Sequence, residues 1–301
     1  MYDKDSRGIS YTAGFFMLIC FAIAGLVLAA EIQKPVWVAL TGKSIEALRE
    51  GVFTPADSTA IKLIQSLTAI VGFLLPTIVT ASLLSRKPFK LMGYTTEGLH
   101  IRQVGLVLLL IGTGLMVASS FSHLTNLIPL PESWRTRFDD MEEKYNMQVS
   151  AIIRLNNFKD YIIALLIMGF LPALCEETLF RGGLQNFLTR GTHLPWVSII
   201  IVSILFSLAH ISFYGFLSRF FLGLVLGGLY YYSGRLWLSI LAHFVNNALA
   251  ITLLFVSTQQ GKSLDEAMKQ DTTSFWGFLA IPFVVVLFMA FKRASASNVA
   301  A

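Results

Sequence analysis

Charge is what this chain has least of. Only 14% of its 301 residues are Asp, Glu, Lys or Arg, whereas 55% are hydrophobic; an ordinary soluble domain carries about a quarter charged residues. The mean hydropathy is +0.66. That composition excludes a water-soluble globule and implies a polytopic membrane protein. Cysteine is nearly absent as well. Cys20 and Cys175 both lie in apolar runs, which excludes a disulfide framework and a thiolate zinc site. The formal net charge of +5 is not gathered into a Lys/Arg stripe interleaved with stacking aromatics, so no nucleic-acid partner is expected. Cationic residues flanking membrane helices account for it. There is no repeat of 20 to 50 residues, and no low-complexity tract beyond the terminal "ASASNVAA".

Long apolar runs, by contrast, are abundant. Crossing about 30 Å of hydrocarbon takes roughly 20 apolar residues. Eight stretches qualify, at about 11–30, 61–84, 103–127, 158–189, 195–214, 216–233, 236–257 and 275–291. Each is expected to be helical, because lipid offers no partner to free backbone groups. The first run is longer than a signal-peptide core and has no small-residue cleavage pattern behind it, so it is expected to be retained as a transmembrane helix. The fold class is therefore all-α, with about eight transmembrane helices. Arg86, Lys87, Lys90 and Arg102 between the second and third runs, and Lys292 and Arg293 near the end, place both chain ends in the cytoplasm by the positive-inside rule. The charged segment 131–160 has apolar residues interspersed. It predicts an amphipathic helix outside or along the bilayer, serving as a connector or as a lid over substrate access. Gly223, Gly227 and Gly228 have the spacing of close helix packing, which is assigned within the chain rather than to a dimer. Pro172 is expected to kink its helix.

Ionisable groups at membrane depth are costly and mark function by default. Three sets occur. In "EETLFR", Glu177 and Arg181 are four apart in the order that suits an ion pair, leaving Glu176 about 100° away without a local partner. In "FSLAH", Phe206 and His210 are four apart; in "HFVNN", His243 and Asn247 share a face while Asn246 points elsewhere. Each set alone has a bland reading: a cytoplasmic loop, a satisfied core histidine, an asparagine bridging helices. Depth links them. At 1.5 Å per residue, Glu176, His210 and His243 lie about 20, 24 and 12 Å in from the cytoplasmic ends of their helices, so they can converge on one polar pocket.

EExxxR, FxxxH and HxxxN, each on its own helix, resemble the three-motif pattern of the CPBP intramembrane proteases. That family includes type II CAAX prenyl endopeptidases and bacterial bacteriocin-processing or immunity (Abi-type) proteins. "RGGLQ" and "FLGLVLGGLYYYSGRLWLSILAHFVNNA" resemble it too. The resemblance covers about residues 160–255, and the N-terminal helices fit its topology only loosely. It divides the chain into helices 1–3 with their connector (1–150), a protease core (151–260), and a last helix with a cytoplasmic tail (261–301). It also implies a multi-pass protein of a bacterial plasma membrane. No HExxH or GxGD motif points to another intramembrane protease type, and "YYSG" matches a rhomboid serine motif poorly.

Hydrolysing a peptide bond inside a bilayer needs a water, a base and donors for the oxyanion. Glu176 with His210 suits the water, His243 and Asn247 the oxyanion, and Glu177, Arg181 and Phe206 support them. The resemblance implies the same roles and leaves the metal open: the family is commonly called a metalloprotease, yet a glutamate-activated water without metal is also proposed for it, and no tightly bound metal is expected here; a zinc ion, if bound, would take Glu176, His210 and His243. The expected site lies between helices 4, 5 and 7, and the expected partners are a membrane-embedded, membrane-associated or lipidated peptide or protein substrate and the bilayer itself. The competing reading is a non-enzymatic scaffold or immunity protein, or a proton or ion relay through the same groups.

Overall fold

The computed structural model describes residues 4–51, 53–153, 155–268 and 274–296. No β-strand is formed among them beyond an isolated bridge between Ser6 and Ser85. The main helices are α1 (Tyr11–Thr41), α2 (Ser58–Leu84), α3 (Ile101–Asn126), α4 (Glu132–Ile152), α5 (Phe158–Thr192), α6 (Pro195–Leu208), α7 (Phe216–Ser233), α8 (Leu236–Gln259) and α9 (Phe275–Ala296). Six of these, all except α4, α6 and α7, are long and apolar enough to cross a membrane. The fold is an all-α polytopic membrane fold. The fifth and sixth expected crossings instead form a shorter hairpin, α6 and α7, of 14 and 18 residues. At 1.5 Å per residue α6 rises only about 21 Å, short of the roughly 30 Å of hydrocarbon.

Local chemistry sets the ends and the bends. Ser10 caps α1 by accepting from the Ala13 amide, and Gly42 ends that helix at φ 68°. Asn157 caps α5 by accepting from Asp160. Pro172 brings no amide hydrogen, and the turn ahead of it widens: over Leu165–Phe170 the bonding is five residues back, the Leu171 amide reaching the Leu166 carbonyl. The same device precedes Pro76, where the Leu75 amide reaches Ile70. A second wide turn in α5 runs from Thr178 to Gln185.

The N-terminal helices are not a separate body. Leu18 of α1, Leu84 of α2, Leu179 of α5 and Phe206 of α6 share one buried cluster. A second joins Leu110 of α3, Leu226 of α7, Ala242 of α8 and Phe291 of α9. Helix α8 packs against α5 on one side and α3 and α7 on the other. The α6–α7 hairpin closes tightly at Gly223, where a Cβ would stand 2.9 Å from that of Ser203. The glycine spacing in α7 thus serves packing within the chain.

Candidate active site

Glu177 and Arg181 of α5 are both fully buried, at 0% exposure, and Arg181 Nη1 donates to Glu177 Oε1 at 2.7 Å. Desolvating two charges is expensive unless further bonds hold them. Arg181 Nη2 donates to the Gly223 carbonyl at 3.2 Å, and its guanidinium carbon lies 4.5 Å from the centre of the Phe206 ring. Phe206, buried in α6, is edge-on to both histidine rings, with centroids 4.9 Å from His210 and 5.7 Å from His243.

His210 lies just past its helix rather than on it. Helix α6 stops at Leu208, and the His210 and Ile211 amides close a tight turn onto the Ser207 and Leu208 carbonyls at 3.3 and 3.0 Å. The chain has only residues 209–215 in which to reverse into α7, and Ile211 takes a φ of 48° to do so. A β-branched residue seldom adopts that left-handed conformation, at a cost of about 1–3 kcal/mol.

Each histidine is held by Nδ1. That atom of His210 lies 2.8 Å from the Phe206 carbonyl, which can only accept, so Nδ1 is assigned the hydrogen. In His243, on α8 and buried, Nδ1 lies 2.9 Å from Glu177 Oε1, which assigns the same tautomer. Both rings therefore present Nε2 to Glu176, at 3.9 Å (His210) and 4.0 Å (His243) from its Oε2. These separations are too long for hydrogen bonds, and Glu176 Oε2 is itself buried without a partner. The three acceptors border one gap that suits a bridging group the size of a water.

Zinc does not fit this gap as it stands. Imidazoles held through Nδ1 are the usual second-shell arrangement of a metal site, but ligands about 2.0–2.1 Å from a tetrahedral zinc stand only about 3.4 Å apart. Among the described residues no group of three or more His, Cys, Asp or Glu side chains is placed to hold a metal ion.

Asn247 is one turn beyond His243, and its hydrogen bonds go elsewhere. Its Nδ2 is 3.4 Å from the Gly169 carbonyl, and its Oδ1 accepts from Asn246 Nδ2 at 3.1 Å. With Nδ1–H committed to Glu177, neutral His243 offers an acceptor at Nε2, so the expected donor role at that atom requires the imidazolium. Asn246 faces a separate cavity between α3, α7 and α8.

The sequence reading missed two features. Arg219 sits in α7, inside a run taken as membrane-spanning, and that position was itself the signal. Helix α4 lies over the His210 turn: Ser212 Oγ donates to Glu142 Oε2 at 2.8 Å, the Tyr214 hydroxyl to Asp139 Oδ1 at 2.5 Å, and Phe138 stacks on Phe213 at 4.3 Å. Its amphipathic pattern was legible, but not where it would dock.

Residues 158–249 match the family described as type II CAAX prenyl endopeptidase Rce1-like. That segment is Rce1-like. It runs from the start of α5 into α8 and contains every motif residue from Glu176 to Asn247. An "Uncharacterized 24.3 kDa protein" of Escherichia coli is 37% identical over 100 residues, 32% of this chain and 45% of that protein. The chain thus spans less than half the length of that relative. No solved structure matches it.

Proposed function

We propose that the chain is a CAAX-type intramembrane endopeptidase that hydrolyses peptide bonds of membrane-associated or lipidated substrates through a water activated by Glu176 and His210. The observation that carries this reading is the buried, unpartnered Glu176 Oε2 facing the Nε2 atoms of two histidines whose rings are each fixed from behind. The Rce1-like segment supports the reaction class.

In this reading a water occupies the gap, hydrogen-bonded to Glu176 and oriented by His210. Glu176 takes one proton as the water oxygen attacks the scissile carbonyl carbon, forming a tetrahedral oxyanion. His243, charged and balanced by Glu177, donates from Nε2 to that oxygen, and Asn247 swings its amide from the Gly169 carbonyl to join it. Collapse breaks the C–N bond, and the proton on Glu176 leaves with the amine. We assign the chain to a bacterial plasma membrane with both ends cytoplasmic and the site open to that side.

The test compares membrane peptides from cells carrying the wild type, Glu176→Gln, His210→Ala or His243→Ala, each checked for normal melting in detergent. Fragments present only with the wild type are expected. Identical peptide pools would overturn the proposal, and full activity in one variant would remove that residue from the mechanism.

A further inference from the structure

The cavity beside the active site has a cationic side chain in a largely apolar lining. Between α3, α7 and α8 lies a space of about 340 Å³. Arg219 is among its lining residues, and its Nη1 is buried without a hydrogen-bond partner. One face of the guanidinium is covered by the Tyr145 ring of α4, 5.5 Å away. Nη1 packs against Gly215, just ahead of α7, where a Cβ would stand 2.0 Å from it. A buried guanidinium nitrogen with no acceptor is costly, and at membrane depth more so.

The lining is graded. On α3 the hydroxyls of Ser119 and Ser122 lie toward the end of the helix, and Leu115 comes about a turn earlier; on α7 Arg219 lies near the start, and Leu222 comes about a turn later. Phe121, near the end of α3, lies 5.5 Å from Phe221, near the start of α7, so the two helices run antiparallel here and both walls are polar at the same end, beneath α4, and apolar away from it. A ligand that fits has an anionic head and an apolar tail aligned with the membrane normal.

We propose that this cavity is a lipid site, in which Arg219 and the α3 serines take the phosphate of an anionic phospholipid and the apolar wall takes the upper part of an acyl chain. The site does not depend on the reaction proposed above.

The purified full chain is reconstituted with phosphatidylglycerol or phosphatidylcholine, released into detergent and weighed by native mass spectrometry. One retained phosphatidylglycerol per chain is expected, with little phosphatidylcholine, and retention should fall at least about tenfold in Arg219→Gln. Ala118→Phe, which fills the cavity and leaves the charge in place, should lose the lipid as well. Melting is followed in parallel, with phosphatidylglycerol, inorganic phosphate, and an apolar peptide as free acid and as amide. The wild type should gain stability with the lipid alone, a comparison that needs no variant to fold. Equal retention of both lipids, or retention by Ala118→Phe, overturns the proposal. An equal melting shift with inorganic phosphate overturns the lipid as source, and a shift confined to the free-acid peptide assigns the cavity to a substrate carboxylate instead.

Discussion

Glu177 fixes the ring of His243 and does so with the oxygen that also binds Arg181: Oε1 lies 2.9 Å from Nδ1 and 2.7 Å from Nη1. The ion pair of α5 therefore reaches into α8, and stability and geometry are coupled through one carboxylate.

That coupling separates two measurements. Arg181→Ala leaves a buried carboxylate short of its cation and should cost about 3–5 kcal/mol, read as a lower melting temperature in detergent. Glu177→Gln combined with Arg181→Met should recover part of that stability. Turnover should stay depressed by about a hundredfold or more, because the amide no longer fixes the imidazole. Return of full activity in the double variant would show that Glu177 does not position His243.

Asn247→Ala should lower turnover by about two to three orders of magnitude, the usual cost of one oxyanion donor, with KM little changed. The 3.4 Å contact to Gly169 is too long to hold the amide firmly. Asn246→Ala should cost only severalfold, through loss of the 3.1 Å bond that orients Asn247. Equal loss in both variants would place the two amides in one structural role.

The contact of α4 with the His210 turn should depend on pH in one direction. The hydrogen bond to Asp139, then burial and the Asp139 charge, push the Tyr214 hydroxyl up to about 12 from 10.0. A raised value means that the contact is complete below about pH 10 and is lost as the pH rises through about 12. Hydrogen exchange over α4 should therefore be independent of this group between pH 7 and 9. Tyr214→Phe should speed that exchange severalfold at pH 8. Unchanged exchange in the variant would mean that Phe138 and Glu142 hold α4 without it.

Metal removal should leave activity in place. Glu176, His210 and His243 stand wider than zinc ligands, at 3.9 and 4.0 Å, so protein dialysed against a strong chelator should keep its turnover and contain well under one zinc per chain. Activity lost to the chelator and restored by stoichiometric zinc would require the three side chains to close in on an ion.

By itself the sequence determined the membrane, the helical class and which polar residues stand inside apolar runs. Scarce charge and long apolar runs leave the chain no soluble alternative, and ionisable groups are so costly in lipid that Glu176, His210 and His243 announced themselves. The Glu177–Arg181 pair was legible because a four-residue spacing on a helix is a local fact. What periodicity cannot encode is where helices end and what they meet. Helix α6 stops at Leu208 because the chain has to reverse before α7, and that puts His210 in a turn where a helical wheel had no jurisdiction. The bond from Glu177 to His243 joins residues 66 apart, the docking of α4 joins residues 70 and 75 apart, and the cavity at Arg219 needs three helices. Those relationships come from packing, because each depends on distances between elements that no single stretch of sequence contains.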